Sequence, residues 1–167
     1  MLFRSGSFAI GMMRYGLIEE LHTIARAMFD TAALYDFHRL PECVSGHPRD
    51  DDHPFPALYP KTNWPQAWSA SSVFSIMQAI LGIYPYAPRN LLFIDPQLPE
   101  WLPEITLKNL HVGRAMANIR FYRKGSTTHF DILDKRGKLH IIRQPSPWSL
   151  TAGVGERLKD MVESLVA

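Results

Sequence analysis

The chain has a single cysteine, Cys43, so no internal disulfide framework can staple it. That usage suits a reducing compartment, and the cytoplasm is the expected location. An excess of one charge is also lacking. Eighteen Lys and Arg face sixteen Asp and Glu, and the basic residues are spread along the 167-residue chain instead of clustering. Nucleic acid and anionic membrane surfaces are therefore not expected partners. No unbroken apolar run of about twenty residues exists. The longest uncharged stretch, Asn63 to Pro88, is interrupted by Pro65, Gln66, Gln78, Pro85 and several serines, so a membrane partner is not expected. The opening residues MLFRSGSFAI carry neither a sufficient apolar segment nor a small-residue cleavage pattern, so no signal peptide is expected. Internal repeats and low-complexity segments are missing as well.

What is present is an ordinary globular composition, 46% hydrophobic and 20% charged, with its two halves patterned differently. In the front half, Ser7 to Tyr15 is apolar enough for a helix, with Gly16 as its stop. From Leu17 to about Tyr35, apolar residues at Leu17, Leu21, Ile24, Ala25, Met28 and Ala32 recur at helical spacing, which predicts an amphipathic helix and, with the first, a helical hairpin. A further helix is predicted from about Trp64 to Leu81, with Pro65 in its first turn and Gly82 ending it. It has no charged residue, which predicts a helix surrounded by protein.

Behind Pro88 the period changes to two. Leu91 to Ile94, Ile105 to Val112, Ala115 to Tyr122, Thr128 to Leu133 and Leu139 to Ile142 read as strands, with Lys124-Gly125 and Arg136-Gly137 as turns. They predict an antiparallel meander, followed by a terminal helix over Gly153 to Val166.

Between the helices lies the stretch FHRLPECVSGHPRDDDHPFPALYP, Phe37 to Pro60, rich in proline and carrying His38, His47 and His53 beside Asp50, Asp51 and Asp52. Loops of this length are commonly functional or disordered. The histidines and aspartates are possible ligand types, but their spacing matches no metal motif, and neither metal nor cofactor is expected. Glu42 could serve as a general base, although a loop glutamate is most often a solvated charge.

The strings RLPECVSGHPR, YPKTNWPQAWSASSVFSIMQAILGI, APRNLLFIDPQLPEWLPEITLKNLHVG and DKRGKLHI, in that order over roughly Met12 to Ile142, resemble the C-terminal region of the bacterial amylo-alpha-1,6-glucosidases, which are glycogen debranching enzyme-like proteins. The resemblance implies a six-hairpin (α/α)6 barrel glycoside hydrolase that opens α-1,6 branch points of glycogen or a related α-glucan by inversion. The expected fold is then mainly α with a β-rich C-terminal part: residues 1–88 as the last helices of the barrel, with an active-site loop at 37–62, and residues 89–167 as the meander and terminal helix.

On this resemblance the LPE pattern falls on Leu40-Pro41-Glu42, making Glu42 the general base. The PQAW pattern falls on Pro65-Gln66-Ala67-Trp68. Tyr59, Trp64 and Trp68 would stack on sugar faces, Gln66 would bond hydroxyls, and Arg49 would touch substrate or hold the loop. An inverting glycosidase needs two carboxyl groups about 6.5 to 9.5 Å apart. This chain departs from the family at LFRSGS, Leu2 to Ser7, which stands in place of a WPHDN-like motif, and most of the barrel is missing, along with the region expected to supply the general acid. A twelve-helix barrel also exceeds the about three or four helices the front half can hold. A truncated, inactive chain is therefore expected, with an α-glucan, a second copy or the missing N-terminal barrel part as partner. The alternative is a non-catalytic glucan-binding or subunit-interaction protein.

Overall fold

A computed structural model describes residues 3–57 and 60–144. Among these the chain divides into two units: residues 3–12 with 17–77, and residues 13–16 with 78–144. Helix α1 is Phe3–Tyr15, α2 is Ile18–Ala32 and α3 is Ala67–Leu81.

In the first unit, Leu21, Ala25, Met28 and Ala32 form the buried stripe of α2, three to four residues apart as a 3.6-residue period requires. Arg26 Nε binds both carboxylate oxygens of Asp30 on the exposed side. The helix ends at Ala32 and not at Tyr35, because the chain turns into a 3-10 segment, Asp36–His38, in which Phe37 and His38 have positive φ. Helix α3 starts at Ala67, three residues after the expected start at Trp64. The Gln66 backbone N–H is spent on Leu40 O, and the Gln66 side-chain oxygen caps Ala67 N–H. Early in α3 the buried residues are the small Ser69 and Ser72, and Gly6 of α1 lies against Ser72 and Ser75. A Cβ on Gly6 would sit 3.0 Å from Ser72 Cα, so any larger residue would push the two helices apart by a few tenths of an ångström. The large aromatics face the other way: Trp68 is 47% exposed and Phe74 is 77% exposed. The expectation that α3 is enclosed on all sides fails for this reason, since the buried stripe runs through Ser69, Ser72, Ile76 and Ile80 and leaves Trp68 and Phe74 outside it.

The second unit carries two three-stranded sheets. Strands β1 (Ile83–Tyr86), β2 (Leu91–Ile94) and β6 (His140–Arg143) form one, in the order β1-β2-β6. β1 pairs antiparallel with β2, Ile83 opposite Ile94, while β2 pairs parallel with β6, Leu91 opposite His140. All four residues of β2 are buried, which is why it reads as a continuous apolar run. β1 was not anticipated. It contains Pro85, which an edge strand tolerates because no ladder N–H is demanded on its outer side. The other sheet is an antiparallel meander of β3 (Glu104–Val112), β4 (Ala115–Lys124) and β5 (Thr127–Arg136). Ala115, Ala117, Ile119 and Phe121 of β4 are buried, and the residues between them are half-buried, the alternation expected of a sheet with one core face. The register slips between Leu107 and Leu110 and between Asn118 and Ile119. At the first slip Asn109 has a φ of 56°, and its N–H bonds Asn118 Oδ1 at 2.7 Å.

Two expectations are thus corrected. The five anticipated strands do not form one meander, because the first and last of them join β1 in a separate, partly parallel sheet. The chain is not mainly helical, and it does not build part of an (α/α)6 barrel. Among the described residues there are three α-helices and two three-stranded sheets, an α+β fold in which strands take up about as many residues as helices. The physical cause lies in the proline-rich segment between α2 and α3, which cannot continue a helix, and in the alternating sequence behind α3. The terminal helix expected over Gly153 to Val166 lies outside the described residues.

Candidate functional site

The loop between α2 and α3 folds back on itself. Glu42 N–H donates to Asn63 O at 3.0 Å, Gln66 N–H to Leu40 O at 3.1 Å, and Ser45 N–H to Ala57 O at 2.8 Å. Leu40, 2% exposed, anchors one arm. Cys43 Sγ and Thr62 Oγ1 meet across the arms at 3.2 Å. The arms are short and irregular, so side chains complete what the backbone leaves open. Trp64 Nε1–H donates to Arg39 O at 2.8 Å, and Asn63 Nδ2 donates to Glu42 Oε2 at 3.1 Å.

Glu42, Asn63, Trp64 and Gln66 therefore come together, with Trp68 following in the first turn of α3. The Glu42 carboxylate is half-buried and fixed by one neutral amide donor, which leaves it acceptor capacity. Trp64 is 44% exposed and Trp68 has a comparable open face, so both indoles can receive an apolar surface. The side-chain oxygen of Gln66 is occupied in capping α3, so its amide N–H groups are what it can offer a ligand. Tyr59 lies outside the described residues.

Tyr35 stands behind this surface. It is buried, its ring lies 6.4 Å from that of Trp64 and 5.1 Å, edge-on, from that of Phe55, and its hydroxyl donates to Pro56 O at 3.3 Å. Burial raises its pKa above the ordinary tyrosine value. In the sequence Tyr35 reads only as the end of a helix. Nothing local marks a tyrosine that gathers two rings from 20 and 29 residues further along. The role of Asn63 was equally hidden, because its partner is 21 residues away.

Arg49 sits elsewhere, at the tip of the loop. Its Nε–H donates to Pro54 O at 3.1 Å. Asp50 closes the tip turn by accepting from His53 N–H at 2.7 Å and bonding His53 Nδ1 at 2.9 Å. The His53 ring stacks on that of His47, centroids 4.8 Å apart and 5° from parallel. Together with one side of α2, Arg49, His47 and His53 line a cleft of about 360 Å³. No group of three or more His, Cys, Asp or Glu among the described residues converges as metal ligands would. His38 lies exposed in the 3-10 turn, apart from the other two histidines.

Among the described residues, no helix is long and apolar enough to cross a membrane. No protein-family model matches the chain, and neither a curated protein nor a solved structure is found to match it.

Proposed function

We propose that the surface formed by Glu42, Trp64, Gln66 and Trp68 binds α-glucan, as the sugar site of an amylo-alpha-1,6-glucosidase-like glycoside hydrolase would. The observation that carries this reading is the placement of a constrained carboxylate next to exposed indole faces. A sugar ring offers C–H patches for the indoles and hydroxyl donors for the carboxylate, so one ligand satisfies both halves of the surface. Glu42 takes the role of the base that deprotonates water. The matching acid is assigned to no residue of this chain, so the chain alone binds glucan without cleaving it. The test is a thermal melt of the full chain with and without a branched maltooligosaccharide. Ligand that prefers the native state raises the midpoint by mass action. Glu42→Gln keeps a hydrogen-bonding side chain of the same size and retains part of the upward shift, whereas Trp64→Ala with Trp68→Ala abolishes it. No shift in the unsubstituted chain at millimolar ligand rejects the reading.

A second reading rests on a different observation. Phe8 of α1 is 61% exposed and Phe74 of α3 more so. Large exposed apolar side chains on neighbouring helices mark association surfaces. Pairing with another chain, in the simplest case a second copy, would cover them. Sedimentation over a wide concentration range checks this: dimerisation weakened by Phe74→Ser supports it, and a monomer throughout removes self-association.

A further inference from the structure

The cleft at the loop tip is chemically distinct from the Glu42 surface. Leu34, Val44 and Pro56 are half-buried and give it an apolar floor, while Arg49, Phe55 and the stacked histidines are exposed at its edge. Its acidic neighbours already have partners. Asp30 is held by Arg26 at 2.9 Å, and Asp50 by His53 at the same distance. Asp51 and Asp52 are exposed and do not line it. Arg49 differs: among the described residues its one hydrogen bond goes to a neutral carbonyl and it forms no ion pair. A guanidinium with unengaged terminal nitrogens, beside an apolar floor in a cleft of about 360 Å³, is a combination that selects for ligand shape as well as charge.

We propose that this cleft binds a small organic carboxylate with an apolar body. The planar fork of Arg49 matches a carboxylate in two parallel hydrogen bonds, and the body covers Leu34 and Phe55. An inorganic anion would leave the floor unused. A neutral apolar ligand would leave the guanidinium unanswered. This site does not depend on the glucan reading, and neither ligand substitutes for the other.

The probe is benzoate, titrated into the full chain and followed by saturation-transfer NMR, with inorganic phosphate as comparator. Saturable benzoate binding in the millimolar range or tighter is expected, and phosphate should bind more weakly. Arg49→Gln should weaken benzoate on the order of tenfold, the loss of a charge-assisted pair, and Arg49→Lys should recover part of it. Because Arg49 also holds the loop through Pro54, a second variant is needed. Ala27→Leu, at an exposed α2 position lining the cleft, fills the space from the helix side, leaves the Arg49 bond to Pro54 O in place, and should abolish binding while the melting curve is retained. Absence of saturable benzoate binding in the unsubstituted chain overturns the proposal, as does undiminished binding by both Arg49→Gln and Ala27→Leu. Phosphate binding as tightly as benzoate would overturn the apolar-body requirement.

Discussion

Residues 78–144 and the loop between α2 and α3 meet the same demand, that every backbone polar group find a partner, by opposite means. In the meander, β4 pairs with β3 and β5 nearly end to end, and each bond supports the next. In the loop, isolated backbone bonds alternate with side-chain donors: Asn63 to Glu42, Trp64 to Arg39, His53 to Asp50. The sheets are therefore held by repetition and the loop by particular residues. The difference decides where a binding site can form. A side chain used as a structural donor is fixed in place, and fixed side chains next to open faces are what a binding site requires.

The comparison is broken most severely at Gly82. With a φ of +57° and a notional Cβ that would collide with Asp95 O, Gly82→Ala cannot be accommodated without moving the β2 end of its sheet. A loss of about 3 kcal/mol or more is expected in urea unfolding. Trp64→Phe acts on the other region. It keeps a ring near Tyr35 but deletes the bond to Arg39 O, and should cost about 1 kcal/mol. Amide exchange of Glu42 and Gln66 should quicken while the strands of the meander keep their protection.

Tyr35 sharpens the comparison through pH. Its folded pKa is raised, so its contribution is complete below the ordinary tyrosine value of about 10 and is lost as pH rises through the folded value. Stability should fall at alkaline pH, and Tyr35→Phe should flatten that part of the fall. Glu104 has the opposite sign and the smallest effect. Its two hydrogen bonds from Arg120 lower its pKa, so its contribution is present above the ordinary glutamate range and lost as pH falls through the folded value. Both side chains are largely exposed, and Glu104→Gln should reduce the acid sensitivity of the meander only slightly.

The sequence was most legible where structure repeats. Leu91 to Ile94 is a strand over the residues anticipated, and Gly16, Gly82, Gly125 and Gly137 all take the positive φ expected of stops and turns. Helix stripes such as Leu21, Ala25 and Met28 were equally visible. Legibility ended where partners are distant. Nothing in LLFI says that β6 will join it in parallel after the meander, and the absence of charge on α3 does not reveal that Ser69 and Ser72 are buried while Phe74 is exposed. The site divides in the same way. Glu42, Trp64, Gln66 and Trp68 were nameable as residues, but the Asn63 contact that fixes Glu42 and the Tyr35 ring between Trp64 and Phe55 depend on closure of the loop. Arg49, grouped with them as a sequence feature, belongs to the tip cleft instead.

The most direct measurement is a tryptophan-fluorescence titration of the full chain with a branched maltooligosaccharide, repeated for Trp64→Phe and Trp68→Phe. A glucan-binding surface at Glu42 predicts a saturable change that each substitution diminishes and the pair removes. An unchanged spectrum up to millimolar ligand, or a change that both substitutions leave intact, would contradict it.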